Sequence, residues 1–140
     1  MTRLLMAILM LAGHIGTGER AHARAICRAT RDPMERAVLV VIAWSETRFA
    51  RRGHDGTPAF GIVDWVRTHR GHRPSIARAA RVALHALRYI RRVRCPGAGW
   101  GVTLGRYHHG NGLHDGGCYE DRLSRRQVEM LWGVRARLSP

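Results

Sequence analysis

Glu46 closes a long apolar stretch, Ala37 to Trp44, on the side that a helix there would bury. Leu39, Ile42 and Ala43 precede it by seven, four and three positions and so share one helical face with it. Burial disfavours the charged carboxylate and raises its pKa toward neutrality, which suits a group that must hold a proton and then donate it. Type and position together point to a general acid. The competing reading is a glutamate at a frayed helix end that turns into water.

These residues need elements to hold them. Asp32-Pro33-Met34-Glu35 marks the start of the Glu46 helix, with an N-cap Asp, a first-turn Pro and a Glu spaced for a capping box. The glycine-bearing run Arg51 to Pro58 cannot continue that helix, and Ala59 to Trp65 reads as a loop or short hairpin. A second helix runs from about Pro74 to Arg94, with Ile76, Ala79, Ala80, Ala83, Leu87 and Ile90 on one face and Arg78, Arg81, His85, Arg88 and Arg92 on others. Cys95 to Gly99 breaks it, Trp100 to Tyr107 restarts a short helix, and Gly110, Gly112, Gly116 and Gly117 make an irregular loop. Ser124 with Gln127 has capping-box spacing for a final helix whose core face is Val128, Leu131, Trp132 and Leu138. Strand-like alternation is nearly absent, so the expected fold is mainly α with little or no sheet.

At 140 residues the chain has room for one core. Its net charge of +14 comes from arginine, with no lysine anywhere, and calls for an anionic partner: nucleic acid, acidic lipid or acidic wall polymer. Thr2-Arg3 before the apolar run Leu4 to Leu11, with Ala21-His22-Ala23 as a small-x-small cleavage site, reads as an export signal over residues 1–23, leaving a domain over 24–140. The apolar run is short for a membrane span, so no stable insertion is expected after cleavage. Export to the periplasm or the medium argues against a nucleic-acid role. It also places Cys27, Cys95 and Cys118 where disulfides form; Cys95–Cys118 is the preferred pair, with Cys27 remaining a possible partner.

Taken in order, Glu46-Thr47-Arg48-Phe49, Gly61-Ile62-Val63-Asp64 and Tyr107-His108-His109-Gly110-Asn111-Gly112 resemble the three signatures of the lytic transglycosylase (SLT-like) members of the lysozyme-like superfamily. The family writes these Glu-Ser-x-Phe, Gly-Leu-Met-Gln and Ala-Tyr-Asn-Ala-Gly-x-Gly. The resemblance spans Asp32 to Tyr119 and implies a lysozyme-like helical domain with a substrate groove. It implies that Glu46 is the acid and base that cleaves the MurNAc–GlcNAc β-1,4 linkage of peptidoglycan, with Tyr107 as its catalytic partner. The substrate's own C6 hydroxyl would close a 1,6-anhydro product, so one carboxylate suffices. Thr47, Gly61, Ile62, Val63, Asp64, His108, His109 and Asn111 fall at substrate-binding positions. Thr47 could instead cap the helix end.

This chain departs from the pattern at Asp64, where the family has Gln, and at His108 and His109, where it has Asn and Ala. Asp64, or Asp55 in its flexible loop, could orient a water and make the enzyme a lysozyme-type hydrolase; Asp64 could equally pair with an arginine. His108, His109, His114, Asp115 and Cys118 raise a zinc reading, but their spacing matches no common site and Cys118 is better placed in a disulfide, so no metal or cofactor is expected. The expected partner is the glycan strand, with cell-envelope machinery as a further possibility. The rival reading is a non-catalytic basic module that binds wall polymer or nucleic acid.

Overall fold

Asp32 starts the helix that carries Glu46, its carboxylate accepting the Glu35 N–H at 2.8 Å while Pro33 takes the first turn. Glu35 does not complete the expected capping box. Its carboxylate takes the Thr30 hydroxyl and a bidentate pair from Arg88 at 2.7 and 2.9 Å, tying this helix to the next long one. The computed structural model describes residues 1–109 and 117–140, and those residues form seven α-helices and no sheet. In chain order they are α1 Thr2–Ala12, α2 Thr17–Ala29, α3 Pro33–Thr47, α4 Val63–Thr68, α5 Ile76–Tyr89, α6 Trp100–His109 and α7 Arg122–Leu138. A 3-10 turn, Ala59–Gly61, precedes α4, and a π-helical turn, Ile90–Arg94, ends α5. Of the loop or short hairpin expected over Ala59 to Trp65, Ala59–Gly61 form this 3-10 turn, preceded by an isolated Arg52–Pro58 bridge, while Val63 to Trp65 open α4 and are helical.

Every residue from Ala37 to Ala43 is buried, because α3 is apolar all round and runs through the middle of the bundle, touching α1, α2, α5 and α7. It ends abruptly. Arg48 and Phe49 take left-handed φ values of 52° and 62°, and burial of the Phe49 ring helps hold that turn. Cys95, just past the π-helical turn, is bonded to Cys118, which brings the start of α7 back toward α5. Closing a loop of this size stabilises by about 3 kcal/mol on the chain-entropy account. Cys27 is free.

Asp121, and not Ser124, caps α7. The Asp121 carboxylate accepts the Ser124 N–H at 2.7 Å and the Ser124 hydroxyl accepts the Asp121 N–H at 2.9 Å, so the box lies one turn earlier than expected. Leu131, Val134 and Leu138 form its buried face, whereas Trp132 is exposed. Residues 1–23 are packed into the same core: Leu4, Ala7 and Ile8 of α1 are buried, and Ala23 is buried in the middle of α2. No helix among the described residues is long and apolar enough to cross a membrane.

Candidate active site

Glu46 lies in the last turn of α3, half-buried, its side chain laid against the backbone of Gly61. A methyl group on Gly61 would sit 2.6 Å from the Glu46 carboxyl carbon and 2.9 Å from Oε1, so only glycine admits the carboxyl there. Phe60 and Gly61 are both left-handed, φ 58° and 64°, which turns the chain sharply enough to present that bare Cα. The Phe60 ring is fully buried, and the Tyr107 hydroxyl donates to the Phe60 carbonyl, pinning the turn from α6. Burial pushes the Glu46 pKa up, the Asp55 charge adds to this, and His108 opposes it. The negative end of the α3 dipole acts in the same direction as burial. Burial, reinforced by the Glu46 charge, drives the Tyr107 phenol far above its ordinary range, so it remains protonated.

The Glu46 carboxyl opens into a cleft of about 610 Å³, of the size that small-ligand sites occupy. The turn and α4 form one wall, α5 from Val82 to Ile90 another, and the end of α6 a third. Of the residues singled out in the sequence, Glu46, Gly61, Ile62, Val63, Asp64, Tyr107, His108 and His109 all line it. Thr47 does not: it is 5% exposed and its hydroxyl donates to the Ala50 carbonyl at 2.9 Å, closing the helix end. Asn111, with His114 and Asp115, lies outside the described residues. Asp64 is paired with Arg67 at 2.6 Å. Asp55 is fully exposed, its carboxylate accepting the Thr57 N–H and hydroxyl at 3.0 and 2.7 Å, so it closes its own turn.

Two residues that sequence reasoning passed over stand at this site. Arg106 lines the cleft at 5% exposure, and its Nε and Nη1 are shielded from water without a hydrogen-bond partner. A buried guanidinium so placed is a demand for an anion. In sequence it is one of 24 arginines, with nothing to separate it from the solvated ones. The second is Asp121, whose Oδ2 lies 2.7 Å from His108 Nε2 and 3.1 Å from His109 Nε2. Desolvation would raise its pKa, but the Ser124 N–H and His108 hold it down at about 2. These three side chains form the one grouping among the described residues with donor atoms close enough to share a metal ion. The cleft wall also carries Trp65, stacked on His69 with ring centres 3.8 Å apart, a flat surface of the kind that sugars lie against.

Behind the site, α2 packs against the two turns that carry Phe49 and Phe60. Gly18 approaches so closely that a Cβ there would lie 2.5 Å from the Phe49 carbonyl oxygen, and His22 sits between the Phe49 and Phe60 rings. Burial lowers the His22 pKa, which keeps it neutral in that aromatic setting. Comparison with protein-family models, curated proteins and solved structures finds no match to this chain.

Proposed function

We propose that this protein is an exported peptidoglycan-cleaving enzyme, a lytic transglycosylase acting on the MurNAc–GlcNAc β-1,4 linkage. The observation that carries the reading is Glu46: a carboxyl with a raised pKa, fitted against Gly61 at the edge of a cleft that also holds Tyr107. In the proposed reaction the protonated Glu46 gives its proton to the glycosidic oxygen as the C1–O bond breaks and positive charge develops on the MurNAc ring. Glu46, now a carboxylate, takes the proton of the C6 hydroxyl, whose oxygen closes onto C1. The acid is regenerated, no water is consumed, and the product ends in a 1,6-anhydro ring. Tyr107 acts here as a positioning residue, holding the Phe60-Gly61 turn against the acid through the Phe60 carbonyl.

A single-carboxylate route is favoured over a hydrolase because the other carboxylates considered are engaged, Asp64 with Arg67, Asp55 within its own turn, and Asp121 with the Ser124 N–H and the two histidines. Arg106 would take a carboxylate of the substrate, and the net charge of +14 would draw an acidic polymer to the cleft. The Cys95–Cys118 disulfide suits an oxidising compartment. Cell-envelope machinery is the proposed further partner. Digestion of isolated sacculi by the protein and by Glu46→Gln, with masses of the released fragments, tests the reading. Anhydro-terminated fragments that disappear in the variant support it, reducing-end fragments would indicate hydrolysis, and binding without release would favour a basic binding module.

A further inference from the structure

Three donors outside the Glu46–Tyr107 pair converge where α6 ends and α7 begins. The Nε2 atoms of His108 and His109 lie 2.7 and 3.1 Å from the same Asp121 oxygen, and the three donor atoms fall within 4.8 Å of one another. Both nitrogens are shielded from water, yet neither meets hydrogen-bonding geometry toward any acceptor. Crowding of this kind needs an explanation, because polar atoms packed this closely ordinarily aim at each other. Ligands around one cation do not; each directs its lone pair at the ion. Donors held at about 2.0–2.2 Å in a tetrahedral site stand about 3.3–3.6 Å apart, so the His109–Asp121 pair, at 3.1 Å, needs to open by about 0.2–0.5 Å and the His108–Asp121 pair, at 2.7 Å, by about 0.6–0.9 Å.

The surrounding contacts orient the set as a metal site requires. The Asp121 Oδ1 is held by the Ser124 N–H at 2.7 Å, which leaves Oδ2 to face the imidazoles. The His109 ring rests against His108 and Tyr119, with centres 4.6 and 4.9 Å apart. Cys118, a further zinc-type donor among the described residues, is already bonded to Cys95. We propose that His108, His109 and Asp121 form a binding site for a divalent transition-metal ion of the zinc class, tying α6 to α7 at the wall of the cleft. Two imidazoles and a carboxylate suit such an ion and leave a position for water or a ligand. The site revises the expectation of no metal drawn from sequence spacing, and it does not depend on the glycan reading.

The test uses the full-length, disulfide-intact protein in a Cys27→Ser background, which removes the one free thiol. Zn²⁺ alone is titrated by calorimetry, and Co²⁺ by visible absorption. The site predicts one saturable equivalent with the intense bands of low-symmetry, four-coordinate Co²⁺. His109→Ala and Asp121→Asn should each weaken binding by more than about 100-fold, since losing even an outer-shell partner of a metal ligand costs about 10–100-fold. Asn at 121 remains a good N-cap, so helical circular dichroism should not change. No saturable binding, or unchanged affinity in either variant, overturns the proposal and leaves the cluster an ion pair.

Discussion

At the scale of single residues, the acid is held in a state that works against folding. The Glu46 pKa is raised in the folded chain, so between the unfolded and folded pKa values the folded state binds more protons, and stability falls as pH rises through that window. The cost is complete above the folded pKa and absent below about pH 4, where the unfolded carboxyl is also protonated. Glu46→Gln is therefore expected to raise the Tm near neutral pH, with the gain vanishing in acid, while activity falls by about 10²–10⁴-fold. Thermal scans at the two pH values check this; the same gain at both would show that desolvation of the charge is not the cause. Arg106 makes a second case. Arg106→Met removes a buried guanidinium with unpartnered nitrogens, so it should leave stability unchanged or raise it by about 1 kcal/mol or more. The same change should raise KM by about tenfold or more through loss of a charge-assisted contact. Steady-state kinetics beside denaturant unfolding separates the two effects.

At the scale of elements, the site is built by one sharp turn pressed against one helix end. Gly61→Ala would place a methyl 2.6 Å from the Glu46 carboxyl carbon at a φ of 64°, so it is expected to displace the acid and to cost about 1–3 kcal/mol of stability. Loss of activity with a shifted pH profile would follow from that displacement, and an Ala variant with full activity would refute the packing argument. This turn was legible in part. Helix periodicity put Glu46 on the buried face of its helix, whereas the grouping of Glu46 with Gly61 and Tyr107 was implied only by the resemblance of the three motifs to the transglycosylase signatures. What Tyr107 bonds to was not legible, since its partner is a backbone carbonyl 47 residues away. The cap of α7 was misplaced by one turn because Ser124 is itself in a box, as the residue that answers Asp121. That error also hid Asp121 as the partner of His108 and His109.

At the scale of the whole molecule, the apolar run Leu4 to Leu11 shows how one pattern serves two purposes. A signal segment and a core-facing helix share the same composition, and sequence alone reads the first. In the structure Leu4, Ala7 and Ile8 are buried, α1 lies against α3 and α7, and the start of α2 lies under the Phe49 turn next to the site. Each large apolar side chain so buried is worth about 1.5–3 kcal/mol. Deleting residues 1–23 separates the two uses: a steep fall in Tm or loss of cooperative unfolding, followed by circular dichroism, is expected of a core-facing segment, and an unchanged Tm is expected of a leader removed on export. On the proposed reading, the net charge of +14 would draw an acidic polymer and the cleft would select the bond that is cut. The most direct measurement is mass analysis of fragments released from purified sacculi by the intact protein. Anhydro-muropeptides formed by the protein and absent with Glu46→Gln are the predicted result. Equal release by the variant would contradict the account, because the proton would then come from another group.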